Sequence, residues 1–247
     1  MRNYGLNFIS DVDLYRHTKE TVEKYRFKID LNKFNKNLID PIKLTFDAKV
    51  YQRTLHEVIE GEIIRQMDKS NTNHIGYFHQ NIFNYIGAGW HVPKTGYDIV
   101  NDEQHYYVEM KNKHNTMNSS SSQKTYMRMQ NTLLNNRHAT CMLVEVIARQ
   151  SQNIAWKVSL DGHSVVNEKI RRISIDKFYA MVTGETFAFK QLCEALPQVI
   201  DDIINDITLT DASNTVISEL EKISPQLLKS LYLLSFGKYE GFGDFNV

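Results

Sequence analysis

Two cysteines in 247 residues are too few for a cysteine-rich zinc site or a disulfide framework. Cys141 lies in an apolar run with Met142, Leu143 and Val144 and reads as a small core residue. Four prolines are scattered along the chain, and no apolar stretch reaches the roughly 18 residues that a membrane-spanning helix needs. The segment Met1-Arg2-Asn3-Tyr4-Gly5 has no apolar core of the signal-peptide kind, so a cytoplasmic protein is expected. Net charge is missing too, with 29 basic residues against 29 acidic ones. Taken alone, that argues against nucleic-acid binding, because non-specific affinity comes largely from lysine and arginine neutralising phosphates.

The distribution of charge points the other way. Acids are absent from Met110 to Val144, where Lys111, Lys113, Lys124, Arg128 and Arg137 all fall. The stretch Glu194 to Lys222 carries the opposite bias, so one face can be basic in a neutral chain. An apolar fraction of 42% and an aromatic fraction of 11% are those of a globular protein. One compact unit over residues 1–247 is expected, with disorder only at the ends and around the serine run Ser119 to Ser122.

The first third reads as helical. Ser10 or Asp13 can cap a first segment to about Tyr25, and Pro41 stands near the start of another. In Tyr51 to Met67, the residues Leu55, Val58, Ile59 and Ile63 recur at helical spacing, and Ile75 to Ile86 repeats the pattern with Phe78, Ile82 and Phe83. After Gly87 and Gly89 the period changes to two. Short strands are expected at Trp90 to Val92, Tyr97 to Val100 and His105 to Lys111, with a turn at Asn101 to Gln104. A helix over Gln123 to Leu134 follows, then a strand buried on both faces over Thr140 to Ala148 and another at Ala155 to Leu160. From Ser174 onward, helices are expected at Ile175 to Met181, Phe187 to Leu196 and Gln198 to Ile207. An α/β core over residues 75–148, ordered αβββαβ, with mainly helical additions over 1–74 and 174–247, is the resulting fold class.

The chemistry sits in Gly96-Tyr97-Asp98, followed ten residues later by Glu109-Met110-Lys111. Alternation along the third strand sends His105, Tyr107, Glu109 and Lys111 to one face and Tyr106, Val108 and Met110 to the other. A hairpin brings Asp98 opposite them, within about 5 Å. Magnesium takes oxygen ligands, usually one or two carboxylates with waters and a substrate phosphate. Asp98 and Glu109 supply that pair, the peptide oxygen of Met110 is a further candidate ligand, and Lys111 is a cation suited to an attacking water or a scissile phosphate.

These residues in this frame resemble the PD-(D/E)xK nuclease superfamily, in particular its type II restriction endonucleases. The run Val108 to Ser122 (VEMKNKHNTMNSSSS), with Gly76 to Gln80 (GYFHQ) upstream, resembles a small group of restriction enzymes associated with GGNCC-type sites. The resemblance implies a mixed sheet flanked by helices, with Asp98 and Glu109 as ligands of Mg2+ and Lys111 as the catalytic lysine. Tyr97 departs from the pattern, standing where the superfamily often has proline. A carboxylate or amide from the preceding helix often joins such sites, which makes Glu57, Glu62 and Gln80 accessory candidates. Lys113, His114, Asn115, Asn118, Ser119, Ser120 and Arg128 follow the catalytic strand and are candidate DNA contacts. The implied activity is cleavage of double-stranded DNA at a short palindromic site by a homodimer, alongside a cognate DNA methyltransferase. A sequence-nonspecific nuclease of the same core and a non-catalytic DNA-binding domain are the alternatives.

Overall fold

The computed structural model describes residues 2–87, 89–160, 162–208, 213–239 and 242. In chain order the helices are α1 (Asp11–Glu23), α2 (Leu31–Asn35), α3 (Pro41–Val50), α4 (Leu55–Asn81), α5 (Ser119–Asn135), α6 (Ile175–Thr183), α7 (Ala188–Asp206), α8 (Val216–Ile223) and α9 (Leu227–Phe236). The strands are β1 (Lys28–Ile29), β2 (Trp90–His91), β3 (Ile99–Asn101), β4 (Tyr106–Lys113), β5 (Thr140–Ile147), β6 (Asn153–Leu160), β7 (His163–Ser174) and β8 (Ser213–Asn214). By internal contacts they form two compact units. One takes the described residues up to Glu23 and from Ile75 to Ile207, and so contains the whole αβββαβ stretch. The other takes Lys24 to His74 and the described residues from Thr208 onward.

The first unit is built on a six-stranded mixed sheet ordered β2-β3-β4-β5-β7-β6. β4 pairs parallel with β5, and β5 parallel with β7; the remaining pairs are antiparallel. β5 is apolar because it is flanked on both edges and covered on both faces, and Cys141 to Glu145 are buried. On one face Val108, Met110, Met142 and Val144 pack with Phe78, Ile82 and Ile86 and with Leu192, Val199 and Ile203 of α7. On the other, Cys141, Leu143, Trp156 and Ile170 pack with Tyr126 and Met129 of α5. Ser10 caps α1, its Oγ accepting from the N–H of Asp13 at 3.0 Å.

Several expected elements merge or move. Residues read as two helices form the single α4, because the polar stretch between them holds no proline and its glycine-free backbone has nothing to stop it. α7 likewise continues through Pro197, although that residue deprives the Cys193 carbonyl of its usual donor. Leu192, Ala195, Val199 and Ile203 stay buried on one stripe across the proline, and that packing holds the helix together. β7 falls where no strand was expected, since Lys169, Arg171 and Arg172 dilute its apolar pattern.

In the second unit, β1 and β8 form a parallel pair. Phe34, Leu44, Ile59 and Ile63 pack with Val216, Leu220 and Leu231 in its core. Asp30 and Asp40 cap α2 and α3, and Thr54 with Glu57 makes a capping box at the start of α4. No described helix is long and apolar enough to cross a membrane.

Candidate active site

Gly96 has a φ of +100°, a backbone conformation open to glycine, and it turns the chain into the segment before β3. From that turn Asp98 joins β4 although it precedes the assigned strand. Its N–H donates to the Val108 carbonyl at 2.9 Å, and its Oδ2 accepts from the Met110 N–H at 2.7 Å. Ile99 pairs with Val108, so the register carries Asp98 opposite Glu109 on the same sheet face.

Burial raises the pKa of Asp98 above the ordinary carboxylate value and outweighs the Met110 N–H, while the negative Glu109 adds to the rise and Lys111 and Arg128 oppose it. Glu109 is held by two cations. Its Oε1 accepts from Lys111 Nζ at 2.8 Å, and its Oε2 accepts from Arg128 Nη2. The Arg128 guanidinium lies 4.5 Å from the centroid of the Tyr97 ring and reaches the Gly96 carbonyl. Tyr97 is in turn anchored by its hydroxyl to Thr132 Oγ1 at 2.8 Å, and burial pushes that phenol well above its ordinary range. The residue that departs from the superfamily pattern therefore serves as the platform for Arg128.

The donor set suits a hard cation. Among the described residues no group of three or more histidine, cysteine or acidic side chains could hold a metal. The available ligands are the carboxylates of Asp98 and Glu109, together with a main-chain oxygen. Met110 turns its N–H toward Asp98, and in an extended strand the carbonyl of the same residue faces the same edge. Two carboxylates and one carbonyl leave room for water and phosphate oxygens, as magnesium prefers.

The remaining candidates are spread more widely. Lys113 is exposed at the end of β4, and Asn115 is exposed with a φ of +56°. Asn118 caps α5 by accepting from the Ser121 N–H at 2.8 Å, and Ser119 and Ser120 form the exposed first turn. His114 turns to Glu145 and Arg172, with its Nδ1 at 3.1 Å from Glu145 Oε2 and 2.7 Å from Arg172 Nη2. Gln80 lies one helical turn beyond Gly76, whose missing side chain lets α4 approach Asn112 of β4. That end of α4 covers the sheet face opposite to Glu109 and Lys111. Glu57 is spent on the capping box, and Glu62 accepts from Arg65 and Gln66 in the second unit.

Glu145 and Arg172 escaped the sequence reading. The signal for Glu145 was present, as the one charged residue in the apolar run from Thr140 to Ala148. Arg172 gave none, because its strand has no clear apolar alternation to mark it.

A helix, three strands, a helix and a strand, with two carboxylates and a lysine at the hairpin, define a restriction-endonuclease-like core. Comparison with known proteins assigns the chain more narrowly. A family model described as Eco47II restriction endonuclease matches residues 6–205. The chain is similar to the type II restriction enzyme Sau96I of Staphylococcus aureus, with 32% identity over 216 residues covering 83% of each protein. It is also similar to the type II restriction enzyme Eco47II of Escherichia coli, with 30% identity over 215 residues, covering 81% of this chain and 89% of that enzyme. The chain belongs to the Eco47II restriction endonuclease family. It is a type II restriction endonuclease, an enzyme acting on double-stranded DNA, and membership implies use of a divalent metal ion.

Proposed function

We propose that Asp98, Glu109 and the Met110 carbonyl hold a magnesium ion, and that Lys111 completes the catalytic centre for hydrolysis of one DNA strand. The observation carrying this reading is the convergence of the trio at one hairpin. Asp98 is bonded to the Met110 N–H at 2.7 Å, and Lys111 to Glu109 at 2.8 Å.

When bound there, the metal supplies a water of lowered pKa and stabilises the leaving oxygen. Asp98 keeps one oxygen on the Met110 N–H, so its carboxylate is oriented before any ligand arrives. Lys111 Nζ, fixed by Glu109, offsets charge on the scissile phosphate and orients the attacking water. Lys113, Asn115, Ser119 and Ser120 are exposed where the chain leaves the catalytic strand, and they are the proposed contacts to bases and phosphates.

The recognised sequence is proposed to be short and palindromic, of the GGNCC type, on the resemblance of Val108 to Ser122. Two-fold DNA symmetry is met most simply by a homodimer with one cut per subunit. The enzyme would act in the cytoplasm, with a DNA methyltransferase protecting the host's own sites. Digestion of a sequenced plasmid with and without magnesium tests this reading. Discrete fragments whose ends share one palindrome, formed with magnesium alone, are expected; heterogeneous ends would support the nonspecific nuclease, and no cutting would reject the enzyme.

A further inference from the structure

β4, β5 and β7 run parallel, so their carboxyl ends share one edge of the sheet. Open α/β sheets bind ligands outside that edge. There, next to the proposed active site, lies a small cleft of about 50 Å³, lined among others by Lys111, Lys113, Asn115, Ser122, Glu145 and Arg172. Three of these side chains are cationic and one is acidic. The acid, Glu145, is turned inward, being 2% exposed, and sits directly across from Lys111 in the register of β4 and β5.

Glu145 grips Arg172 along one side of the guanidinium. Its Oε2 accepts from Arg172 Nε at 3.1 Å, and its Oε1 accepts from Nη2. A planar fork held this way loses little freedom when it binds a second anion. Nη1 makes no hydrogen bond among the described residues, and the Arg172 side chain is 20% exposed. His114 packs against the same edge of the pair. Its Nδ1 stands 2.7 Å from Arg172 Nη2 and 3.1 Å from Glu145 Oε2. The His114 N–H donates to the Ile147 carbonyl at 2.8 Å, which ties the loop after β4 to the end of β5.

A pair needed only for stability could be replaced by apolar side chains at little cost. Here the guanidinium is held rigid with one edge toward a cationic cleft, and β7 lies two strand spacings, about 10 Å, from the catalytic strand. We propose that Arg172, positioned by Glu145 and His114, binds a backbone phosphate of the DNA flanking the scissile one. This site rests on the nuclease reading above.

The test is equilibrium binding of two labelled duplexes, one with a mapped cut site and one unrelated, in EDTA over a range of salt concentrations. Wild type, Arg172→Gln and the double variant Glu145→Gln with Arg172→Gln are compared. The single variant strands a buried carboxylate; the double variant replaces the ion pair by two amides and should regain most of the melting temperature. Both are expected to bind both duplexes about tenfold or more weakly. Both should also lower the slope of log affinity against log salt by about 0.9, the value of one phosphate contact. In wild type, a neutral methylphosphonate at one linkage beside the cut should weaken binding, independently of any variant's fold.

Wild-type affinity and slope in the double variant, or no sensitive linkage beside the cut, overturn the phosphate site while wild-type cutting leaves the nuclease reading intact. A wild-type enzyme that neither binds nor cuts duplex DNA removes both.

Discussion

Arg128 bridges two parts of the proposed active site, its guanidinium lying over the Tyr97 ring while Nη2 donates to Glu109 Oε2. Lys111 takes the other oxygen of the same carboxylate, so both oxygens of Glu109 are compensated by cations. On the proposed reading, a divalent cation bound by Glu109 competes with Arg128. Arg128→Gln is therefore expected to tighten magnesium binding about fivefold, which is the ~1 kcal/mol of an ion pair open to solvent on one side. Calorimetric titration with magnesium chloride at fixed ionic strength reads it. Unchanged or weaker binding would mean that Arg128 does not oppose the metal.

Glu145 makes stability depend on pH in a defined direction. Burial raises its pKa, but the hydrogen bonds from Arg172 and His114 prevail, and the folded-state value falls below the ordinary 4.5. A depressed carboxylate contributes stability that is fully present above 4.5 and is lost as pH falls from there through the folded value. Both tryptophans, Trp90 and Trp156, lie in the same unit as Glu145, so their fluorescence reports its unfolding. Urea midpoints should fall steeply in wild type below about pH 4.5. Glu145→Gln should be less stable near neutrality by about 3 kcal/mol, the cost of breaking a buried pair, with a shallower acid dependence. Parallel acid profiles would contradict the assignment.

Two glycines of α4 distinguish helix propensity from packing. A Cβ at Gly61 would meet nothing within 4 Å, whereas a Cβ at Gly76 would meet Asn112 Nδ2 at 3.3 Å. Gly61→Ala should stabilise by about 0.8–1 kcal/mol, the difference in helix propensity. Gly76→Ala should gain less or lose stability, because the added methyl presses on the strand that carries Glu109 and Lys111. Urea unfolding followed by circular dichroism compares them, and equal gains would show that α4 does not approach β4 at Gly76.

The local parts of this structure were legible in the sequence. The change of period after Gly89 marked the hairpin, the turn between its strands made neighbours of Asp98 and Glu109, and alternation put Lys111 beside Glu109. Thr140 to Ile147 announced itself as a buried strand by its apolar composition. The rest depended on contacts between distant segments. Pairing of Lys28 with Ser213 follows no local pattern, and Arg172 acquires its role only when β7 is laid beside β5. Pro197 and the polar middle of α4 looked like boundaries because propensity is weaker than tertiary packing.

Single-turnover cleavage of a duplex carrying a mapped cut site, with magnesium, decides whether Asp98, Glu109 and Lys111 form one catalytic centre. Each is changed to alanine, and binding of the same duplex is measured without metal. Lys111→Ala should slow cleavage by about 10²–10⁴-fold, and the two carboxylate variants at least as much, with DNA affinity retained. A variant at any of the three positions that cuts at close to the wild-type rate would contradict the shared centre.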